Sequence, residues 1–243
     1  MTEELFREDA TLFECTATVL AVDEAGVVLD RSVFYPLGGG QAGDAGTLTS
    51  VGGAVLAIVD TRKHPTRSGD IAHVPAPGGE LAAFTPGTAV VARIDAARRR
   101  AHRRFHTATH LLCALVPHAV DGCSITASYA RLDFHMNEPL DKEQLSAGIA
   151  ALVAGAHGVS QRWISEAELD ANPQLVRSMR VQPPRSGTGA GRIRVIDIQG
   201  VDMQPCGGTH VANTADIGAV VVTKIEKKSA MTRRVVLGFA APG

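Results

Sequence analysis

The sequence predicts an α+β protein in which a small β-barrel precedes a domain made of a sheet with packed helices. Residues 14–95 contain short apolar and β-branched runs that are separated by glycine- and proline-containing turns. A long helical pattern follows at residues 96–116, and later residues alternate strand patterns with one amphipathic helix. We therefore expect a β-barrel domain at residues 1–95 and an α+β domain at residues 96–243.

The predicted barrel strands are short runs that end at turn residues. We expect strands at residues 14–22, 27–29, 32–34, 54–60, 70–74 and 88–95. Turn signals fall between them at residues 23–26, 52–53, 77–79 and 86–87. Many short strands at this spacing are typical of a small barrel.

The second half begins with a helix that Asp95 is expected to cap and Pro117 to end. Its further predicted elements are a strand at residues 128–134, a helix at 141–156, a strand at 159–164, a helical turn at 166–170, a strand at 192–198 and a hairpin of residues 217–225 and 233–239. Residues 177–192 read as a loop that carries Arg177, Arg180, Arg185 and Arg192. This loop is either an RNA-contacting loop or a plain surface loop.

Composition narrows the function classes. Aromatic residues make up only 4% of the chain, which disfavours a stacking platform for single-stranded nucleic acid. The net charge is −1, so RNA contacts would need local basic patches, and we expect no DNA partner. Four cysteines are scattered without a disulfide pattern, and no apolar run of about 18 residues occurs. We expect a cytoplasmic protein without a membrane partner.

Two pairs of potential metal ligands share one spacing. His106 and His110 lie four residues apart in a predicted helix, which places both imidazoles on one face. Cys206 and His210 repeat this spacing in the letters CGGTH, whose glycines predict a loop that can approach closely. Each pair alone is more often fortuitous, but together they supply four ligands of the types that zinc prefers. We therefore predict a Zn²⁺ site.

The first pair shares its spacing with the H-E-x-x-H metalloproteases. Thr107 stands where those enzymes carry their general-base glutamate. The sequence therefore disfavours a protease of that class.

These motifs resemble the alanyl-tRNA editing proteins of the AlaX type, which are related to the editing domain of alanyl-tRNA synthetase. The resemblance rests on the letters HTATHLL at residues 106–112, on CGGTHV at residues 206–211, and on Asn213, Thr214, Ile217 and Gly218. The letters FYPLGGGQAGDAG at residues 34–46 are similar to the glycine motif of the longer members. The resemblance to this family also implies that the barrel is similar to those of translation factors.

The resemblance implies an activity: hydrolysis of tRNA(Ala) mischarged with serine or glycine, by a zinc-dependent aminoacyl-tRNA deacylase. We expect a monomer that does not charge tRNA itself. Neither motif contains Asp or Glu as a base, which leaves metal hydroxide, Thr109, His210 or a ribose hydroxyl for proton transfer. Four protein ligands would close a tetrahedral zinc, so either one lies outside the coordination sphere or the metal becomes five-coordinate. A tRNA-binding module with a purely structural zinc is the alternative.

Several residues are candidates for substrate binding. Thr109 lies between two predicted ligands, and by resemblance it borders the amino-acid pocket, although packing against a neighbour of the helix is the plain alternative. Thr126 is a weaker candidate with a turn role as its alternative. The glycine candidates are Gly38, Gly39, Gly40, Gly207 and Gly208. Residues 38–43 match G-x-G-x-x-G, but the helix that dinucleotide binding needs does not follow them. They are therefore either a loop that needs positive φ angles or a segment whose bare backbone approaches the substrate.

Arginines crowd the first turns of the predicted helix that carries the histidine pair. Positive charges near a helix N-terminus oppose the helix dipole, so their presence there needs another reason. We expect Arg98, Arg99 and Arg103 to contact tRNA phosphates, and a solvated charged face is the alternative.

Overall fold

The structure is a computed structural model that describes residues 1–178 and 191–240. The chain divides into two compact units, one made of residues 1–38 and 42–100 and the other of residues 39–41 and 101–243. The functional assignment of residues 1–95 as a translation-factor-like domain and of residues 96–243 as an editing domain stays our prediction.

The first unit contains a closed barrel of six strands in the order β2-β3-β7-β6-β5-β8. Its elements are β1 (Glu3–Glu4), α1 (Leu5–Glu8), β2 (Glu14–Asp23), β3 (Gly26–Leu29), β4 (Arg31–Ser32), β5 (Gly46–Ser50), β6 (Val55–Lys63), β7 (Ile71–Pro75) and β8 (Ala89–Ile94). All neighbouring barrel strands are antiparallel. The predicted barrel is thus confirmed.

Alternation along the strands fills the barrel. In β6 the buried residues Leu56 and Ile58 alternate with exposed ones, as expected for a strand with one face towards a core. Val19, Leu48 and Phe84 are buried in the same cluster. Burial of these side chains is the main favourable contribution to this unit's stability.

The guanidinium of Arg99 is buried inside the first unit rather than offered to a phosphate. Its Nε lies 3.1 Å from Asp44 Oδ2, and its Nη2 donates to Asp44 and, at 2.6 Å, to the carbonyl of Val33. The same side chain has no exposed surface. We therefore leave Arg99 out of the proposed RNA surface, because its donors serve internal acceptors.

The second unit contains two antiparallel sheets, with strand orders β14-β15-β10-β9 and β11-β12-β13. Helix α2 (Ala96–Leu115) contains the boundary between the units. The elements that follow it are β9 (Val120–Ile125), β10 (Ala130–His135), α3 (Lys142–Ala154), β11 (Val159–Ser165), α4 (Glu166–Asp170), β12 (Arg192–Ile198), β13 (Asp202–Pro205), β14 (Val220–Ser229) and β15 (Thr232–Phe239). Short 3₁₀ turns lie at Pro173–Leu175 and Thr214–Ile217.

A capping residue explains where α2 begins, and an apolar face explains how it is held in place. The Oδ1 atom of Asp95 accepts hydrogen bonds from the backbone N–H groups of Ala97 and Arg98, at 2.9 and 3.0 Å, which confirms the predicted cap. Farther along, Phe105 and Leu112 lie one heptad apart and are buried in the core of the second unit. This packing fixes the helix face on which His106 and His110 lie.

Sequence patterns missed the two-residue strand β1 and three longer strands. The letters GTLTS (β5), VDGCSI (β9) and DMQP (β13) are rich in small or polar residues, so they lack the apolar alternation on which strand prediction depends. The last hairpin turn is also shorter than predicted, because β14 extends to Ser229 and β15 begins at Thr232. Of the predicted loop at residues 177–192, residues 179–190 with Arg180 and Arg185 lie outside the described residues.

Within the part of the chain that the structure describes, no helix is both long enough and apolar enough to cross a membrane.

The buried pair of Asp44 and Arg99 leads to a stability prediction. Asp44→Ala should lower the free energy of unfolding by about 3–5 kcal/mol, because it leaves a buried guanidinium without its carboxylate. Denaturant unfolding followed by circular dichroism measures the effect.

The matched control is Glu14→Ala, which removes the carboxylate that pairs with exposed Arg93 in the same unit. We expect a loss below about 1 kcal/mol for this variant. Equal losses for the two variants would contradict a stabilising role of the buried pair.

Candidate metal centre

Helix α2 presents two imidazoles side by side. His106 and His110 are both buried, and their ring centroids lie 5.7 Å apart. The four-residue spacing places them one turn apart on the same face of the helix. The helix therefore supplies half of a potential metal site in a fixed arrangement.

The segment at residues 206–210 supplies the other half from a loop that follows β13. Cys206 Sγ lies 3.4 Å from His106 Nε2 and 3.3 Å from His210 Nε2. One ligand atom each from His106, His110, Cys206 and His210 lies within 4.8 Å of the others. The four residues named from spacing alone are thus brought together, and they could hold a metal ion.

Two arginines fix the backbone of this loop. Nη1 of Arg194 donates to the carbonyls of Cys206 and Gly208 at 2.8 and 3.1 Å. Nε of Arg103 donates to the carbonyl of His210 at 2.7 Å. These hydrogen bonds hold the loop in the conformation that directs Cys206 and His210 towards the helix.

Gly208 lies so close to His106 that no larger residue fits. A Cβ atom built on Gly208 would lie 2.0 Å from Cε1 and 2.3 Å from Nδ1 of His106, and 3.0 Å from Oε1 of Gln41. Real Cβ atoms do not make contacts this short, so the glycine is needed for close approach. This explains one of the two glycines in CGGTH.

Hydrogen bonds at Nδ1 define the tautomers of the two helical histidines. His106 Nδ1 lies 2.8 Å from the amide oxygen of Gln41, and His110 Nδ1 lies 2.9 Å from a carboxylate oxygen of Asp202. Both partners are acceptors, so each Nδ1 carries the proton and donates it. In the neutral form of each ring the lone pair therefore lies on Nε2.

The hydroxyl of Thr107 defines the tautomer of His210 by elimination. It donates to the carbonyl of Arg103 at 3.0 Å, and it accepts from the backbone N–H of Val211 at 3.2 Å. Since its one proton is already used, it accepts from His210 Nδ1 at 3.1 Å. In their neutral forms all three imidazoles thus carry the lone pair on Nε2, which is the form that binds metal.

The site favours a thiolate at Cys206. Burial raises the pKa of this thiol, but the neighbouring His106 and His210 outweigh burial and hold the pKa well below its usual value. Burial would lower the pKa of His110, yet its hydrogen bonds to Asp202 and Cys206 raise that pKa to about 10. Burial and the charge of His106 hold the pKa of His210 well below its usual value.

This donor set fits zinc. One thiolate and three neutral imidazole nitrogens are ligands of borderline softness, and zinc binds such combinations tetrahedrally. Each imidazole also donates its other N–H to a protein acceptor, as histidine ligands of metals almost always do.

Thr109 and Thr126 have different surroundings. The Thr109 hydroxyl is buried and donates to the carbonyl of His106 at 2.7 Å. The Thr126 oxygen lies in the turn between β9 and β10, where it accepts from the N–H groups of Ser128 and Tyr129. Thr126 thus has the turn role that was its alternative, whereas the substrate role of Thr109 stays a prediction.

The glycine motif has two residues in the left-handed region. Gly39 and Gly40 have φ angles of 57° and 85°, whereas a Cβ atom on Gly38 would meet no atom closer than 3.6 Å. A Cβ atom on Gly40 would lie 2.7 Å from Sγ of Cys123. These constraints bring Gln41, the next residue, to the metal centre.

The sequence-based reasoning missed four residues that organise the site: Gln41, Thr107, Asp202 and Arg194. Gln41 and Asp202 make their contacts over 65 and 92 residues of chain, which no local pattern reveals. Thr107 was weighed only as the absent base of a protease. The one available signal was the amide of Gln41 at residues 38–43, which otherwise consist of glycine and alanine.

We expect Gly208→Ala to lower zinc affinity by about 10-fold or more, because the added methyl group must displace His106 and its bond to Gln41. Competition against a chromogenic zinc indicator measures the affinity. Gly52→Ala is the control, since the nearest atom to its Cβ would be 3.8 Å away. Wild-type affinity in Gly208→Ala would show that the close approach has no role in metal binding.

Comparison with known proteins places the chain among enzymes of tRNA aminoacylation and editing. Residues 193–236 match the family described as "Threonyl and Alanyl tRNA synthetase second additional domain". Residues 7–98 match "tRNA synthetases class II (A)".

Two kinds of relatives are similar over most of the chain. The alanine–tRNA ligase of Synechococcus sp. is 34% identical over 91% of this chain, which spans only 24% of that ligase. The alanyl-tRNA editing protein AlaX-M of Methanosarcina mazei is 33% identical, over 96% of this chain and 95% of the relative. The AlaX-M protein of Methanosarcina barkeri is 34% identical, over 96% and 97% respectively. The chain therefore belongs to the family of alanyl-tRNA editing proteins of the AlaX-M type.

Proposed function

We propose that this protein is a trans-editing hydrolase that removes serine from mischarged tRNA(Ala) at a zinc site. The convergence of Cys206 Sγ with three imidazole nitrogens carries the proposal. Membership of the alanyl-tRNA editing family supports tRNA(Ala) as the nucleic acid. Glycine is the second candidate for the amino acid that is removed.

The proposed reaction adds water to the ester carbonyl. The bond between the carbonyl carbon and the ribose oxygen breaks, the ribose oxygen takes up a proton, and serine leaves with a free carboxylate. Zinc, when bound, polarises the carbonyl and lowers the pKa of water. His106, His110, Cys206 and His210 would hold the zinc, and their buried surroundings strengthen electrostatic interactions at the ester.

Thr109 is the proposed contact to the amino acid. Its proton is used in the bond to the His106 carbonyl, so its oxygen would act on the substrate only as an acceptor. A serine hydroxyl or amino group can donate to such an acceptor, whereas the alanine side chain cannot. A site that hydrogen-bonds a hydroxyl discriminates strongly against a substrate without it, because buried polar groups are then left unpaired.

The remaining proposed substrate-binding residues are glycines and arginines. Gly38, Gly39, Gly40, Gly207 and Gly208 are proposed to let the backbone approach the aminoacylated 3′ end. Arg98 and Arg103 are proposed to contact phosphates. Each of these arginines is half-buried and uses its Nε on a backbone carbonyl, that of Gly43 for Arg98 and that of His210 for Arg103.

A tRNA-binding module with a structural zinc is the competing function. The two functions differ in one experiment, in which purified protein is analysed for zinc and incubated with Ser-tRNA(Ala) and Ala-tRNA(Ala). The editing hydrolase releases serine and spares alanine, and Cys206→Ala loses both zinc and activity. Zinc-loaded protein that binds tRNA(Ala) without releasing serine would instead support the structural role.

We expect Thr109→Val to slow hydrolysis of Ser-tRNA(Ala) more than about tenfold, a barrier increase of about 1.4 kcal/mol, because the isosteric side chain removes the acceptor. Single-turnover deacylation measures the rate, and metal analysis should show retained zinc. Thr109→Ser keeps the hydroxyl and serves as the control. A wild-type rate in zinc-loaded Thr109→Val would exclude this hydroxyl from substrate binding.

A further inference from the structure

The three histidines of the metal centre donate to three chemically different acceptors. His110 donates to the carboxylate of Asp202, His106 to the amide oxygen of Gln41, and His210 to the hydroxyl of Thr107. A charged acceptor forms a stronger hydrogen bond than a neutral one. The three rings therefore differ in how strongly their partners support them as ligands.

His210 has the weakest partner, a neutral hydroxyl at the longest of the three distances. Its bond to Thr107 is 3.1 Å long, against 2.9 Å for His110 and 2.8 Å for His106. Since a stronger acceptor at Nδ1 makes an imidazole a more basic ligand, His210 is the least basic of the three.

The secondary-structure elements that carry the histidines also differ, and they too favour His106 and His110 over His210 as firmly held ligands. His106 and His110 belong to α2, whose packed face fixes both of them relative to each other. His210 belongs to a loop, in which Arg103 holds its carbonyl and Thr107 contacts both the next N–H and the ring Nδ1. The backbone of this loop is thus held independently of the ring, whose own Nδ1 bond is the neutral one to Thr107.

Hydrolysis by a metal site requires a coordination position for water or substrate, which four protein ligands on a tetrahedral zinc do not leave. We propose that His210 is the exchangeable ligand, which yields its position while His106, His110 and Cys206 stay bound. A cysteine binds a metal as a thiolate, and His110 has the carboxylate partner, so both are the ligands least suited to leave. This inference rests on the proposed zinc hydrolase.

Metal affinity tests the ranking without measuring activity. Metal-free protein is titrated with Zn²⁺ against a competing indicator, for the wild type and for His106→Ala, His110→Ala and His210→Ala. We expect His210→Ala to bind one zinc with an affinity within about 10-fold of the wild type, and the other two variants to lose more than about 100-fold. A loss in His210→Ala as large as that in His110→Ala would overturn the proposal.

Isosteric substitutions of the hydrogen-bond acceptors keep all four metal ligands. They therefore test the ranking even if the alanine variants misfold. Asp202→Asn should lower zinc affinity by about 10- to 100-fold, and Thr107→Val by less than about 10-fold. Thr107→Ser, which keeps the hydroxyl, is the matched control with wild-type affinity. Equal losses in Asp202→Asn and Thr107→Val would contradict the ranking of the partners.

Cobalt-substituted protein reports the exchange directly, since its visible spectrum depends on the coordination number and ligand set. Azide is the probe for an accessible position. It should change the spectrum of Co²⁺-loaded Thr107→Val at lower concentration than that of the wild type, and Asp202→Asn should show no such gain. Equal azide responses in all three proteins would refute an exchangeable His210.

Different results would refute the proposed zinc hydrolase and the exchangeable His210. Wild-type protein that binds no zinc would refute the proposed zinc hydrolase and the inference with it. Wild-type protein that binds zinc and hydrolyses Ser-tRNA(Ala), with equal zinc losses in His210→Ala and His110→Ala, would refute only the exchangeable ligand.

Discussion

The close approach of Gly208 to the His106 ring is the constraint on which the metal centre depends. A side chain at residue 208 would occupy the space of the imidazole, so only a glycine lets the loop bring Cys206 within 3.4 Å of His106 Nε2. Arg194 stabilises the same loop through the carbonyls on either side of Gly207. The ligands are therefore positioned by backbone contacts rather than by the ligands' mutual attraction.

Around the ligands lies a polar network whose members come from separate parts of the sequence. Gln41 accepts from His106 and from the N–H of Thr209, and its Nε2 lies 3.0 Å from the Thr209 hydroxyl. A buried polar group that lacks partners is costly, so such a network is stable only when its members are satisfied together. The amide of Gln41 thereby joins the glycine motif to the CGGTH loop within the second unit.

The sequence predicted the ligands and the barrel but not what surrounds them. His106 with His110 and Cys206 with His210 are visible because each pair has a local spacing that a helix or a tight loop turns into proximity. Asp202 could not be found this way, since β13 is short and polar and its contact with His110 spans 92 residues. Arg99 was interpreted as a phosphate contact because sequence shows charge and not burial, whereas the partner Asp44 lies 55 residues earlier.

The charges of the site explain how it accommodates a dication in a buried place. A low pKa for Cys206 and a pKa of about 10 for His110 describe a thiolate beside an imidazolium, with Asp202 as a second anion. His110 would have to release its Nε2 proton to hold a metal there, whereas Cys206 would offer its thiolate directly. The thiolate and the Asp202 carboxylate together offset the two positive charges, which removes most of the cost of burying the ion. The net charge of the site would not change if a neutral water or ester took a coordination position. It would also not change if a neutral imidazole left its coordination position.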